Sequence, residues 1–218
     1  MERGWVGRVE DDRVIHLAAQ TLQSFFTGGG AAREHDVYPR SGVRLLAPVL
    51  HPPAVRVFES EERFWFANPA AIAAPEAAVP ARGPDGLAVL ARLAAVVGAD
   101  EELAGYTLLA EWRASGLPEP KDRDFALGLG PLVVTADACD PAGLRVRVRV
   151  DGQPRAELGG AGFRWEAARR LAAEGTVLRA GDLLACPALG RLDGLRPGTR
   201  VELDADAIGT LAHAVVAP

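Results

Sequence analysis

Two long apolar runs in the middle of the chain constrain the fold more than any other feature. The first, Leu87–Val97, contains one charged residue, Arg92, and the second ends at Trp112 with Glu111 just before it. Apolar runs of this length predict strands that are buried in a core. A lone charge is costly to bury unless it is paired, so the fold must bring a partner to Arg92.

The composition is that of a chain with a large core. Of 218 residues, 49% are hydrophobic and 24% are charged, which excludes a disordered chain. We expect a small N-terminal lobe and linker that contains β structure, residues 1–41, followed by one larger domain, residues 42–218. No charge-free apolar stretch reaches the roughly 18 residues of a membrane span, and the N-terminus lacks the apolar region of a signal peptide. We therefore expect a cytoplasmic protein with no membrane partner.

Several classes of site are disfavoured by the polar residues. The formal net charge of -5 argues against a nucleic-acid partner. Cys139 and Cys186 fit no metal or redox spacing, so two buried thiols are expected. The four histidines include no closely spaced metal-ligating pair. Three pairs of carboxylates lie beside turn residues and are interpreted as turn formers: Asp122 with Asp124, Asp137 with Asp140, and Asp204 with Asp206.

The alternation of apolar and polar residues, together with residues typical of turns, predicts mostly β structure. Residues 5–10 and 13–17 form a predicted hairpin, as do residues 54–58 and 63–66. The clearest hairpin has alternating valines and arginines, Val146 to Val150, before an Asp151-Gly152 turn. Its arginines indicate a solvated sheet face or a contact between subunits.

One helix and one loop complete the prediction. Residues 164–174 carry an apolar stripe at helical spacing, and Gly175 follows as a helix-ending residue. Residues 27–42 begin with a glycine cluster and are predicted as a linker or loop. The predicted fold class is α+β, mostly β.

Six short motifs occur along the chain in a definite order. They are VRLLAPV, FWFANPAAIAAP, LAAVVG with LAGYTLLAEW, KDRDFALGLGPLVVTAD, LRAGDLLACPALG and LRPGTRVELDADAIGTLAHAVV. In this order they resemble the fumarylacetoacetate hydrolase family over residues 43–216. The resemblance implies a mixed-sheet β-roll with a central active-site cleft, a homodimer, and Mg²⁺ or a similar cation. It also implies cleavage, decarboxylation or tautomerisation of acylpyruvate-like 2-oxo acids.

The metal ligands that the family implies are largely replaced. Such enzymes hold the cation with Glu-x-Glu before a Val-Val-Gly-like turn and with Asp after Gly-Tyr-Thr. Those positions fall here on Leu90, Arg92 and Glu111, and residues 87–98 contain no Asp or Glu. A hard cation needs oxygen ligands, and these three side chains carry no net charge, so we predict no metal cofactor. Arg92 is expected to pair with Glu111 in the cation's place, the alternative being that it extends to the sheet edge.

Other positions of the family pattern also differ. The segment in which the family carries His-x-x-Glu contains no His here. The family's lysine falls on Arg123, with Lys121 two residues earlier, and both are candidate catalytic residues. Its Gly-Thr-Pro substrate loop falls on Ala185-Cys186-Pro187. We therefore place Arg92, Glu111, Cys186 and Pro187 in a substrate cleft.

Three functions are compatible with this pattern. The first is a non-catalytic or repurposed family member, with a small anionic molecule as its candidate ligand. The second is a metal-independent hydrolase, decarboxylase or tautomerase that uses Arg92, Arg123, Lys121 and Glu111 on an anionic 2-oxo acid. The third is an active Mg²⁺-dependent hydrolase whose ligands come from elsewhere in the chain, for example Asp122 or Glu59.

Overall fold

The computed structural model describes residues 4–159 and 162–218, and strands predominate within them. The helices are α1 (Leu22–Thr27) and α2 (Trp165–Ala173). The strands are, in chain order, β1 (Gly7–Glu10), β2 (Arg13–Leu17), β3 (Glu34–Pro39), β4 (Val55–Ser60), β5 (Arg63–Ala67), β6 (Ile72–Ala73), β7 (Ala78–Pro80), β8 (Leu87–Val97), β9 (Leu103–Ala114), β10 (Leu127–Thr135), β11 (Arg145–Val150), β12 (Gln153–Gly159), β13 (Leu183–Ala185), β14 (Gly190–Leu195), β15 (Arg200–Ala205) and β16 (Gly209–Val216).

Within the described residues the strands form three sheets. The N-terminal sheet has the order β1-β2-β3, and the third sheet has the order β12-β11-β15-β16-β7. The central sheet has the order β5-β4-β13-β8-β9-β10-β6, and β14 also pairs with β8. It is mixed, because β13 runs parallel to β4 while β8 runs antiparallel to β9 and β13. The predicted fold, α+β and mostly β with a mixed sheet, is confirmed.

Strands β8 and β9 account for the two apolar runs. Every residue of β8 is buried. Alternate side chains such as Leu93 face a first core, which the central sheet shares with the third sheet and α2. The others, such as Val96, face a second core that includes Phe26 of α1. Because both faces of β8 are covered, its sequence is continuously apolar rather than alternating.

The predicted hairpin and helix are both present. Strands β11 and β12 pair antiparallel around Asp151 and Gly152, whose φ angles are 51° and 75°, as a type I′ turn requires. The valines of β11 are buried in the first core, and Arg147 pairs across the outer face with Asp204 of β15. Asp204 therefore lies in a strand, and its interpretation as a turn former is wrong. Helix α2 occupies nearly all of predicted residues 164–174.

The N-terminal region differs from the prediction in two places. Residues 27–42 were expected to form a loop, but they contain β3, which pairs with β2. Helix α1 was missed, although Thr21 and Ser24 cap each other's backbone at its start. The glycine cluster before β3 indicated a loop. A six-residue helix is too short to show a clear helical spacing of apolar residues. The division at residues 41 and 42 stays a prediction. Within the described residues no helix is long and apolar enough to cross a membrane.

Candidate functional site

The register of β8 and β9 brings the three expected ligand positions together. Leu90 pairs directly with Glu111. Arg92 lies two residues further along β8, and side chains two residues apart on a strand share a face. All three positions therefore lie on the side of the central sheet that faces the second core.

Arg92 and Glu111 form a buried ion pair. The Nε and Nη2 atoms of Arg92 each lie 2.7 Å from Oε2 of Glu111. Nη1 donates to the backbone carbonyl oxygens of Phe58, at 3.1 Å, and Cys186, at 2.7 Å. Arg92 is 3% exposed and Glu111 is 0% exposed. Arg92 therefore turns into the protein rather than extending to the sheet edge, and its predicted contact with Glu111 is confirmed.

The pair is one end of a longer series of charges. Oε1 of Glu111 accepts a hydrogen bond of 2.6 Å from Nε of Arg113, and Nη1 of Arg113 lies 3.4 Å from Oδ2 of Asp122. Asp122 in turn accepts from Nε of Arg123, and Nη2 of Arg123 donates to the carboxylate of Glu119. We call this series the ion-pair chain: Arg92, Glu111, Arg113, Asp122, Arg123 and Glu119.

An indole holds the middle of the ion-pair chain in place. The guanidinium carbons of Arg113 and Arg123 lie 5.9 Å and 5.1 Å from the ring centroid of Trp65 in β5. Stacking of this kind adds to the attraction of a cation for the ring and restricts the planar guanidinium group. Burial lowers the pKa of Arg123, but the carboxylates of Asp122, Glu119 and Glu111 outweigh it, so that its pKa is raised.

These residues do not fit a divalent cation. Leu90 offers no ligand atom, and both carboxylate oxygens of Glu111 are already engaged by guanidinium groups. In the part of the chain that the structure describes, no group of three or more His, Cys, Asp or Glu side chains could hold a metal ion. A cation beside Glu111 would also face the positive charges of Arg92 and Arg113.

Cys186 has a structural environment. Its Sγ accepts from the backbone N–H of Leu93 at 3.3 Å and donates to the carbonyl oxygen of Pro187 at 3.2 Å. Burial raises the pKa of the thiol to about 11, so it stays protonated at neutral pH and is a poor nucleophile. The places of Cys186 and Pro187 in a substrate cleft stay predictions.

The two candidate catalytic residues lie in different environments. Arg123 belongs to the ion-pair chain, and its side chain is 9% exposed. The Lys121 side chain is 68% exposed and pairs with Asp124. Sequence reasoning missed Arg113, for which the signal was its spacing of two residues from Glu111. Asp122 was interpreted as a turn former or as an alternative metal ligand, but its contacts with Arg113 and Arg123 were not foreseen.

His213 is a buried, neutral imidazole on β16. Its Nδ1 accepts from the indole N–H of Trp112 at 3.1 Å, so Nε2 carries the proton and faces the carbonyl oxygen of Ala74 at 3.2 Å. Burial lowers the pKa of His213 to about 4. A Cβ atom at Gly128 would lie 1.8 Å from Cε1 of His213, so the ring packs directly on that glycine.

A small cavity lies on the opposite side of the central sheet from the ion pair. It has a volume of about 90 Å³ and is lined by apolar side chains of β8, β11, β12 and β14, among them Val89, Val148 and Leu158. A shallower depression of about 330 Å³ adjoins it at Leu192 and continues along the β11–β12 turn. Neither is lined by Arg92 or Glu111.

Solved structures of known proteins share this fold. Maleylpyruvate hydrolase from Sphingobium sp. SYK-6 is 19% identical, with a TM-score of 0.83 over 100% of this chain and 98% of that one. The same enzyme in complex with manganese(II) and pyruvate has a TM-score of 0.79, at 19% identity over 99% and 97%. 5-Carboxymethyl-2-hydroxymuconate delta-isomerase from Mycobacterium smegmatis has a TM-score of 0.74, at 20% identity over 98% and 94%.

Comparisons of sequence give a family but no individual relative. A search of curated proteins finds no match. The family model described as fumarylacetoacetate (FAA) hydrolase C-terminal matches residues 41–216, which include the whole central sheet and the ion-pair chain. This chain therefore belongs to the fumarylacetoacetate hydrolase family.

Proposed function

We propose that this chain keeps the family fold but has lost the Mg²⁺-dependent hydrolysis of C–C bonds in acylpyruvate-like 2-oxo acids. In this proposal the guanidinium of Arg92 stands where a cation would stand, and the protein is non-catalytic or repurposed. Its candidate ligand is a small anionic molecule.

The proposal rests on one observation, that both carboxylate oxygens of Glu111 are engaged in ion pairs. One of its oxygens is bound by Arg92 and the other by Arg113, at 2.7 Å and 2.6 Å. A carboxylate with both oxygens in ion pairs has to lose one of them before it can coordinate a metal. Releasing a buried guanidinium from its carboxylate leaves an uncompensated charge, which costs about 3–5 kcal/mol.

Arg92 is also poorly placed to act on a substrate. It donates to Glu111 and to two backbone carbonyl oxygens. A ligand that displaced those acceptors would leave buried carbonyl groups without a donor, which is itself unfavourable. This supports a structural cation over the metal-independent enzyme that uses Arg92 to bind a 2-oxo acid.

Metal binding distinguishes the third function, an active Mg²⁺-dependent hydrolase, from the two that need no metal. We expect Mg²⁺ and Mn²⁺ to leave the melting temperature of the wild type unchanged, because a ligand that does not bind the folded state adds no stability. Isothermal titration should give no metal binding signal for the wild type. The double variant Leu90→Glu with Arg92→Glu restores carboxylates at the family positions and is expected to gain Mg²⁺-dependent stabilisation.

Turnover of an acylpyruvate is the measurement that can contradict the proposal. An acylpyruvate hydrolysed by the wild type only with Mg²⁺, and not by Glu111→Ala, would overturn the proposal. Metal-independent turnover lost in Arg123→Gln would instead support the second function, in which Arg123 contacts an anionic substrate.

We also propose a homodimer in the cytoplasm. Strand β12 is an edge of the third sheet and is mostly exposed, and long exposed edges are usually covered in native proteins. Light scattering at tens of micromolar should give twice the mass of one chain. A monomer at that concentration would contradict the dimer without affecting the metal experiment.

A further inference from the structure

The outer face of the N-terminal sheet carries two histidines that are neighbours in space. His16 lies in β2 and His35 lies in β3, and their ring centroids are 5.1 Å apart, with an angle of 31° between the ring planes. Ile15 and Leu17 on either side of His16 are buried, so His16 points to the opposite, outer face. The two histidines are far apart along the chain, and only the pairing of β2 with β3 brings the imidazoles together.

A β-bulge sets the position of His35. The pairing register of the two strands shifts between Ile15 and Leu17, so that two residues of β3, His35 and Asp36, stand opposite His16 alone. Bulges of this kind change the direction in which nearby side chains point. The bulge also places the carboxylate of Asp36 next to His35 in the chain, where its negative charge favours a cation.

The imidazole of His16 is restrained before any ligand arrives. The ring centroid of Trp5 lies 5.3 Å from that of His16. Strand β2 is the middle strand of its sheet and pairs with both β1 and β3, so the backbone of His16 is held on two sides. Little freedom of His16 therefore remains to be lost on binding. His35 is exposed, and its ring can turn about the Cβ–Cγ bond to aim a nitrogen at a shared ion.

The separation of the two rings is the one that a shared metal ion requires. Zinc–nitrogen distances of about 2.0–2.1 Å place the centre of a coordinated imidazole ring about 3.2 Å from the ion. Two such rings at a tetrahedral angle have centroids about 5.2 Å apart, and those of His16 and His35 are 5.1 Å apart. Imidazole is a ligand that suits Zn²⁺, Cu²⁺ and Ni²⁺, whereas Mg²⁺ and Mn²⁺ prefer oxygen.

We propose that His16 and His35 form a two-histidine site for a divalent transition-metal ion, and that Zn²⁺ is the ion it takes. Within residues 4–159 and 162–218 no third histidine, cysteine or carboxylate completes the group, so water fills the remaining positions and the ion stays exchangeable. The inference goes beyond the proposed function, because the pair lies in the N-terminal sheet and selects a different class of cation from the Mg²⁺ of the family positions.

Titration with Zn²⁺ alone tests the site. Isothermal titration of the untagged chain should show one Zn²⁺ ion bound to the wild type. His35→Ala and His16→Gln should each weaken the binding at least about tenfold, since even the outer-shell partners of a metal ligand are worth about that much. The melting temperature of each variant without Zn²⁺ shows that it is folded. His51→Ala is the matched control, because His51 is also exposed, and it should leave the Zn²⁺ affinity unchanged.

Trp5 gives a second readout at the same place. Its side chain is 78% exposed and it contacts His16, so Ni²⁺ bound to the pair should quench its fluorescence. The Ni²⁺-dependent quenching should be lost in Trp5→Phe, which keeps an aromatic ring beside His16 and should still bind Zn²⁺. It should also be lost in His35→Ala.

Four results would overturn the inference. They are a wild type that binds no Zn²⁺, a Zn²⁺ affinity that His35→Ala leaves unchanged, an equal loss of affinity in His51→Ala, and Ni²⁺ quenching that survives in His35→Ala. Mg²⁺ binding that survives in His35→Ala would instead overturn the proposed function and leave the Zn²⁺ results as they are.

Discussion

Two buried arginines, Arg92 and Arg56, occupy opposite faces of the central sheet and are treated differently by the fold. Arg92 reaches Glu111 and two backbone carbonyls, and Glu111 reaches a second arginine. Arg56 makes one hydrogen bond of 2.9 Å to Asp182 and lies 5.2 Å from the ring centroid of Phe66. Within the described residues, Nε of Arg56 and Oδ1 of Asp182 are buried without a hydrogen-bond partner.

The difference shows what burial of a charge requires. Arg56 and Asp182 are 4% and 2% exposed, much like Arg92 and Glu111, so burial alone does not distinguish the two pairs. The number of satisfied donors and acceptors does. A fully engaged pair fixes several strands relative to one another, because each acceptor comes from a different element. A singly bonded pair links only its two partners.

Removal of Arg92 should have the largest effect. Arg92→Ala leaves one oxygen of Glu111 and two carbonyl groups without their donor, and we expect a loss of about 3–5 kcal/mol in the free energy of unfolding. Urea unfolding measures it. The double variant Arg92→Met with Glu111→Leu removes both charges but leaves Arg113 with Asp122 as its partner, so it should recover only part of that loss. A cost below 1 kcal/mol for Arg92→Ala would contradict the importance given to this pair.

Acid should destabilise the folded protein through His213, because this imidazole is buried and neutral. Its pKa is about 4 in the folded state, below the ordinary value of 6.5. Above pH 6.5 the imidazole is neutral in both the folded and the unfolded state, so its full contribution to stability is present. As the pH falls toward 4, the unfolded state takes up the proton first, and the free energy of unfolding falls by about 3 kcal/mol. Urea unfolding from pH 7 to pH 4 should show a steeper decline for the wild type than for His213→Gln. Parallel curves would argue against a buried neutral imidazole.

Removal of Arg56 should cost less than removal of Arg92. Asp182 keeps a hydrogen bond of 3.2 Å from the backbone N–H of Arg179, and one side-chain hydrogen bond is lost. Arg56→Ala also leaves Asp182 as a buried charge without its cation, and we expect it to reduce the free energy of unfolding by about 3 kcal/mol, the lower end of the range for a broken buried pair. A cost equal to that of Arg92→Ala would remove the distinction between the two pairs.

The smallest expected effect is the coupling between the two arginines. They lie on opposite faces of the sheet and share no partner among their hydrogen bonds. Separate sites usually add to within about 0.5 kcal/mol, so the double variant Arg56→Ala with Arg92→Ala should cost the sum of the single variants. A double-mutant cycle with a larger coupling would show that the sheet transmits strain between its faces.

The core of the candidate site was accessible from the sequence through the resemblance to the family. Its motifs, the turn after residue 97 and Gly-Tyr-Thr, give the positions of Leu90, Arg92 and Glu111 by counting along the chain. The contribution of Trp65 was not accessible, because β5 reaches the site only through long-range contacts. Glu119 and Asp122 come from a turn whose path depends on those contacts. At the N-terminus, β3 was missed because the glycine cluster that precedes it indicated a loop, whereas the strand depends on pairing with β2.

The position of β8 between two cores has a consequence for how the protein opens. One face of β8 belongs to each core, so neither core can come apart while the other keeps β8 in place. Strand β3, by contrast, is exposed along its whole length. Amide hydrogen exchange should therefore be slowest in β8 and β9, with similar opening free energies on both faces, and fastest at the N-terminal edge. The strand that carries Arg92 would then be the last part of the molecule to meet water.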